Sequence, residues 1–360
     1  MKVAFVITDL DTGGAELALE RFVRHLQKSG GFEIAVCSVR PAGMVGERMR
    51  RAGIDVTSVG LRSFNLPLGL WRLFRWLRRQ RAGVVCSLMF HANLLVRLLR
   101  VPARIPALLS FERTMVQESR WRYLLNRMTW RLADRIVAVS PAVKRFCEER
   151  IGMAAERVVV LPNWVELERF AAMPDRAATR ARLGWAADEF VILCVANFRP
   201  IKGHAVLLDA FARFHGRVPR SRLVLIGTGP LEREIEARAS GGVELNPYGE
   251  LVELLAAADI FAMASHTEGM SNAILEAWAA GLPVVVTAAG GNVDVIDDGR
   301  TGVLVPVGDS DAIAEAFERM ATHPELRAAV SAAAKEAVAR DYSEAAVGAQ
   351  LRALIGSVAR

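Results

Sequence analysis

The chain lacks any run of about eighteen consecutive apolar residues, so no segment reads as a membrane-spanning helix. Its apolar opening, MKVAFVIT, is too short for a secretory leader and runs straight into a Gly-rich turn. It reads instead as a first β-strand. Cysteine is scarce: Cys37, Cys86, Cys147 and Cys194 are scattered, with no C-x-x-C and no metal-ligand spacing. Cys37 and Cys194 fall inside the apolar runs EIAVCSV and FVILCVA, so buried free thiols in a reducing cytoplasm are expected. His25, His204, His215, His266 and His323 show no metal-like pairing, and no metal site is expected. G-x-G-x-x-G is also missing, which removes the support for dinucleotide binding.

What is present fits a soluble globular chain. At 360 residues, with 52% apolar and 24% charged residues, it has material for two cores. The net charge of +7 hides an asymmetry. Residues 1–160 hold 27 Lys and Arg against 13 Asp and Glu, a balance of +14; the remainder holds 19 against 26, or −7. A basic half and an acidic half imply two domains with different partners. The basic half suits an anionic membrane or nucleic acid; no nucleic-acid recognition motif accompanies the charge, so nucleic acid is not expected.

Short apolar runs alternate with helical patterns throughout. KVAFVIT, EIAVCSV, GVVCSL, ALLSF, RIVAVS and RVVVLPN read as strands, with AELALERFVRHLQKSG and PAVKRFCEERIG as helices. LPNWVELERFAAMPD, residues 161–175, reads as a linker, after which a second cycle begins. There FVILCVANF, RLVLIGTG, IFAMAS, LPVVVT and GVLVPV are strands, separated by helices such as HAVLLDAFARF and SNAILEAWAAG. Such alternation means parallel sheets with right-handed crossovers, and ligands bind outside the carboxyl ends of the strands. The expected architecture is α/β: two doubly wound Rossmann-like domains facing a central cleft. Residues 1–165 form the first, 166–345 the second, and 346–360 a terminal helix returning to the first.

The turns after strands carry the candidate chemistry. Thr8 through Glu16 includes Gly13 and Gly14, which let backbone amides approach an anion at a helix start. A tight turn, with Glu16 placed to suit the helix dipole, explains the same residues. VANFRPIKGH combines Arg199, Lys202 and Gly203, cations suited to a diphosphate or to plain solvation. Gly227 lies in GTGP, where Pro230 as a helix start explains much of the pattern. In SHTEGMSNAILEAWAAGLPVVVT, Glu268 falls in a polar loop and Glu276 on the following helix, which Ser271 or Asn272 is placed to cap. The apolar residues around Glu276 imply that its carboxylate has hydroxyl or cationic partners. His91, in SLMFHANLL, follows a strand end, where structural and catalytic roles are both open.

Taken together, GGAE, VAVSPAVK, LPNWVELERF, KGHAVLLDAF, IGTGP, EGMSNAILEAWAAGLPVVVT, GG and DDGRTGVLV resemble, in order and over nearly the whole chain, the retaining glycosyltransferases of family 4, which have the GT-B fold. The resemblance implies a nucleotide-sugar donor held mainly by the second domain, with no cofactor and no metal. Arg199 and Lys202 would bind the diphosphate and Glu276 the ribose hydroxyls. Glu268 would lie against the donor sugar, with Gly227 and the loop residues Gly269, Met270, Ser271 and Asn272 completing the site. Gly13 and Gly14 would approach the phosphates, and His91 the bond being broken. This chain departs from the family in three places. Asn197 stands where many members carry the phosphate-binding Arg, leaving Arg199 three residues before Lys202. The hinge holds Trp164 and Glu166 instead of the usual small residues. After GG the nearest carboxylate is Asp294 rather than a Glu.

The resemblance implies transfer of a hexose or N-acetylhexosamine, UDP-linked by base rate, to a lipid-linked or growing glycan in polysaccharide or lipopolysaccharide assembly. A nucleotide-sugar epimerase of the same architecture and a non-catalytic nucleotide-sugar sensor are the alternatives. Residues 66–83, LPLGLWRLFRWLRRQRAG, mix Trp71, Phe74 and Trp76 with Arg72, Arg75, Arg78, Arg79 and Arg81. Such a helix suits peripheral contact with the anionic inner face of the plasma membrane, or packing in the core with a solvated Arg face. A cytoplasmic location is expected; oligomeric state is not legible.

Overall fold

A computed structural model describes residues 1–11, 13–61, 66–115, 119–246 and 249–359. The chain divides into two units, Met1–Asn163 with Ala345–Arg360, and Trp164–Glu344. In the first, the order is β1 (Lys2–Ile7), α1 (Gly14–Ser29), β2 (Glu33–Ser38), α2 (Met44–Arg51), β3 (Asp55–Ser58), α3 (Leu66–Gln80) and β4 (Val84–Leu88). It continues with α4 (Phe90–Ala103), β5 (Leu108–Glu112), α5 (Arg120–Thr129), β6 (Arg135–Ala138), α6 (Pro141–Phe146) and β7 (Val158–Val160). The second unit runs α7 (Arg176–Leu183), β8 (Phe190–Val195), α8 (His204–Arg217), β9 (Ser221–Ile226), α9 (Glu232–Arg238), β10 (Val243–Leu245) and α10 (Leu251–Ala257). Then come β11 (Ile260–Met263), α11 (Asn272–Ala279), β12 (Val284–Thr287), α12 (Asn292–Val295), β13 (Val303–Val305), α13 (Ser310–Thr322) and α14 (Pro324–Asp341), after which α15 (Glu344–Val358) belongs to the first unit.

Both sheets are wholly parallel, with seven strands ordered β3-β2-β1-β4-β5-β6-β7 and six ordered β10-β9-β8-β11-β12-β13. Central strands such as β4, VVCSL, are buried along their whole length, as helices on both faces require. Two strands go beyond those legible in the sequence. β3, DVTS, is largely polar and β10, VEL, is three residues long; both are edge strands with one neighbour, so neither shows the apolar signature of a central strand. Strand order reverses between β1 and β4 in one sheet and between β8 and β11 in the other. These switch points are where connections diverge and a ligand finds room.

All four cysteines are buried and unbridged. Burial pushes the Cys194 thiol up to about 12. In the second unit, Phe214 packs on Phe190 and Phe317 at 5.8 Å each within an aliphatic core. In the first, α15 docks on α1: the Arg352 guanidinium lies 3.1 Å from His25 Nε2 and donates to Ser29 Oγ at 2.8 Å.

The first unit also buries a polar network beneath α4. Arg97, 1% exposed, donates to Glu112 at 3.0 Å, to Ser110 Oγ at 3.1 Å and to Asn126 Oδ1. Asn93 donates to Phe111 O at 2.9 Å and to Glu112 at 3.3 Å, and accepts from Ser87 Oγ at 2.7 Å. A buried ion pair of this kind adds little net stability when intact, but losing one partner strands the other charge. Arg97→Met is therefore expected to destabilise the first unit by about 3–5 kcal/mol in urea unfolding. Adding Glu112→Gln should recover a large part of that loss.

His204, the first residue of α8, is 1% exposed, stacks edge-on against Phe198 at 5.1 Å, and has no partner for either ring nitrogen among the described residues. Burial, and then the Lys202 charge, lower its pKa from 6.5 to about 4. The unfolded chain thus takes up a proton that the fold refuses. The stability His204 contributes is present above pH 6.5 and lost as pH falls toward 4. His204→Leu should flatten the acid side of the second unit's stability curve in that window; an unchanged slope in pH-dependent thermal unfolding would count against this assignment.

Candidate functional site

In the second unit, the loops leaving β8 and β11 meet at the switch point although they are distant in sequence. Lys202 Nζ donates to Glu268 Oε1 at 2.6 Å, and Ser265 Oγ donates to the same oxygen at 2.7 Å. The pair is mostly shielded, with side-chain exposures of 23% and 7%. Further bonds fix the loops around it: His266 N donates to Ile201 O and Gly291 N to Glu268 O, each at 2.8 Å, and the Thr287 hydroxyl donates to Ser265 O at 2.6 Å. Gly203 permits this approach. It adopts φ +66, and a Cβ there would stand 2.0 Å from Ala264 O. The structure thus brings Lys202 and Glu268 into direct contact, which spacing alone does not reveal.

Arg199 ends the extended segment after β8 and is exposed. Its guanidinium makes no hydrogen bond or ion pair among the described residues, leaving it available to an anion. Gly227 follows β9; its N–H donates to Asn246 Oδ1 and its carbonyl accepts from Asn246 Nδ2, both at 2.8 Å. Asn246, at φ +43, was not legible as a site residue, because an Asn after a short strand reads as an ordinary turn former.

Gly269, Met270 and Ser271 lead into α11, and Asn272 is its first residue. Ser271 holds the N-cap position with extended backbone, yet its side chain makes no cap bond; Oγ lies 3.9 Å from Met263 Sδ. The expected Ser271 cap is therefore absent, because the hydroxyl turns toward the core. The Ser271 side chain thus gives the start of α11 no cap. Glu276 lies one turn further on, 8% exposed, among the fully buried Leu275, Ala277 and Trp278. Asp294 lies on α12, where its N–H donates to Gly291 O at 3.2 Å.

In the first unit, the ends of β1 and β4 flank the other switch point. Gly13 is the extended N-cap of α1 and Gly14 its first residue; Thr12 lies outside the described residues. Glu16 is more than a dipole-matched surface residue. It is 5% exposed and folds back against Gly13, where any side chain would collide with its carboxyl group. Burial first, and then a hydrogen bond with Asp9, raise its pKa to about 8. Next to it, Arg113 at the end of β5 donates to Asn163 Oδ1, while its Nη1 is buried with no acceptor among the described residues. Burial lowers the Arg113 pKa to about 10, against the raising effect of Glu16. Asp9, Arg113 and Asn163 escaped sequence reading because three separate strand ends supply them.

His91 is the second residue of α4, half-buried and edge-on to Phe90 at 5.4 Å. The turn placing it passes through Met89 at φ +73, a strained value for a residue with a side chain. Ala92 N donates to Thr8 Oγ1 at 3.3 Å, tying the start of α4 to the end of β1. His91 and the glycine turn thus share one switch point.

The chain matches known proteins in both units. Residues 13–164 match a glycosyl transferase 4-like domain, and residues 189–323 match glycosyl transferases group 1. The chain is similar to D-inositol 3-phosphate glycosyltransferase of Saccharomonospora viridis, 34% identical over 72% of this chain and 62% of that protein. It is also similar to the GDP-mannose-dependent alpha-(1-6)-phosphatidylinositol monomannoside mannosyltransferase of Mycolicibacterium smegmatis, 34% identical over 59% of this chain and 60% of that one. The chain thus spans about three-fifths of the length of these curated relatives. A putative glycosyltransferase, EpsF of Bacillus subtilis, is 30% identical over 79% of both chains. Among solved structures, Anabaena HepE in complex with UDP-glucose superposes with a TM-score of 0.88 over 99% of this chain and 100% of that one, at 20% identity. With the residues and the topology in place, the chain belongs to the glycosyltransferases of family 4, glycosyl transferases group 1, with the GT-B fold.

Proposed function

We propose that the chain transfers a hexose or N-acetylhexosamine, with retention, from a UDP-linked donor to a hydroxyl of a lipid-linked or growing glycan in cell-surface polysaccharide assembly. The observation that carries this reading is the meeting of Lys202 and Glu268 at the second unit's switch point, beside the free cation Arg199 and the uncapped start of α11. That grouping suits a diphosphate next to a sugar. Lys202 and Arg199 meet the phosphates, Glu268 the sugar hydroxyls, and Glu276 the ribose.

In the proposed reaction the bond from the anomeric carbon to the β-phosphate oxygen breaks, and the acceptor oxygen bonds to that carbon on the same face. The acceptor proton passes to the departing phosphate. Negative charge grows on the leaving group, and fixed cations and helix amides aimed there lower the barrier; each such donor is typically worth about 10²–10³ in rate. This assigns the leaving-group stabilisation to Arg199 and Lys202 without a metal. A GDP-mannose donor is the second reading, favoured by the name of the mycobacterial relative.

Release of UDP or GDP from matched UDP-sugars and GDP-mannose separates the two donors. Donor conversion without acceptor would point to an epimerase, and binding without turnover to a sensor. Lys202→Ala and Glu276→Ala should each raise the donor Kd by about tenfold or more. Unchanged affinity in both would sink the assignment. Glu268→Gln should mainly lower kcat.

The ion pair adds a second check. Lys202→Ala alone leaves Glu268 shielded and unpaired, and should lower the thermal midpoint. Lys202→Met with Glu268→Gln should recover stability while turnover stays lost. Recovery of both would reduce the pair to a structural role.

The acceptor reading also includes peripheral contact with an anionic membrane. No helix of the described residues is long and apolar enough to cross one.

A further inference from the structure

Exposed apolar side chains are concentrated on one layer of the first unit. Seven of the eleven exposed large hydrophobic residues described in the chain lie on α3, α4 and α5. On α3 they are Leu68 and Trp71, while Leu73, Trp76 and Leu77 point into the core. On α4, Leu98 and Val101 share a face, and Val101 is 76% exposed. On α5, Trp121, Leu124 and Met128 repeat at helical spacing, with Met128 67% exposed. The helices are neighbours, since α4 packs against both α3 and α5 and against β1, β4 and β5. Their outward stripes therefore form one broad surface.

The charge on that surface has one sign. Arg72, Arg75, Arg78 and Arg79 on α3 and Arg120 and Arg127 on α5 are exposed, and none of the three helices carries a carboxylate; on α4, Arg97 is buried against Glu112 and Arg100 is paired with Asp134 at 2.7 Å. Arg75 stacks over Trp71 at 4.6 Å, and Arg122 lies over both Phe90 and Trp121 at 5.2 and 5.5 Å. Guanidinium groups held on aromatic rings at the rim of an apolar surface match a headgroup layer, with aliphatic side chains reaching below it.

We propose that the joint outer face of α3, α4 and α5 is the surface that seats on an anionic lipid bilayer. The inference rests on the membrane-contact reading and extends it from one basic helix to three. Charge complementarity selects the occupant. A protein partner would have to be acidic and apolar over the breadth of three helices, whereas anionic phospholipid presents both properties at any point. In the sequence the basic and aromatic pattern stood out at residues 66–83 alone.

The test is flotation of the full chain with vesicles of phosphatidylcholine alone and of phosphatidylcholine with an equal part of phosphatidylglycerol, at low and high salt. The wild type should float with the anionic vesicles at low salt and be released by salt. Leu98→Ser with Val101→Ser, and separately Leu124→Ser with Met128→Ser, should each reduce the partition about tenfold. Arg75→Gln with Arg79→Gln should reduce it by more than about tenfold. Thermal midpoint and donor turnover should stay unchanged in all three, since none of these residues lies at the candidate site.

If the wild type does not float at low salt, membrane contact itself fails. If the α3 variant loses binding while the α4 and α5 variants float like the wild type, the three-helix face is overturned and contact through α3 alone stands. Equal flotation with neutral vesicles, or release by duplex DNA, would also overturn the proposal.

Discussion

Lys202 and Glu268 stand 2.6 Å apart at the end of two adjacent parallel strands whose connections leave in opposite directions, and the donor half of the proposed site is arranged around that pair. Its gross attraction is on the order of 6 kcal/mol at an effective dielectric of about 20, and partial burial offsets most of it. A small net value is what a ligand-responsive contact requires. A diphosphate can compete for the ammonium group, after which Glu268 keeps its Ser265 hydrogen bond and faces the sugar. A strongly stabilising pair would resist that exchange. The backbone bonds from His266 and Gly291 and the Thr287 hydroxyl hold the loops together independently, so the exchange need not loosen the fold.

The first unit has the same topological switch but a different electrostatic arrangement. Its glycine turn is already lined by Glu16, hydrogen-bonded to Asp9, with Arg113 nearby and one of its guanidinium nitrogens without an acceptor among the described residues. A turn kept this acidic suits a dianion only while the carboxyl group is protonated, which the raised Glu16 pKa maintains near neutrality. The Arg97 network lies deeper and does other work. It holds α4 against β5, while a separate bond from Ala92 N to Thr8 Oγ1 ties the start of α4, next to the strained turn at Met89, to the end of β1.

Much of this was legible in the sequence, and the reasons differ by residue. Central strands were legible because burial on both faces writes continuous apolar runs, as in VVCSL; DVTS and VEL were not, since edge strands escape that demand. Glu268 and Glu276 stood out because their flanks are loop and apolar helix, two environments that treat a carboxylate differently. Contact between Glu268 and Lys202 was not legible, because adjacency of β8 and β11 is a property of sheet order. The burial of Glu16 was missed for a related reason. An acid in a helix's first turn is so often a surface residue that only the fold-back over Gly13 distinguishes this one.

Net charge also proved a poor guide to local field. The second half of the chain carries −7 and still presents its cations where an anionic donor would bind. At ordinary ionic strength a charge is felt over about 8–10 Å. Within that range Lys202 is offset by Glu268 while Arg199 makes no ion pair among the described residues, and many carboxylates further off are paired with arginines, as Asp259 is with Arg180 at 2.7 Å. In the first half the reverse holds, because the arginines of α3 are exposed on one face that holds no acid, so their potentials add. The same chain therefore uses charge in two ways: as a few fixed groups at a shielded switch point, where direction decides binding, and as a broad unpaired surface, where number does.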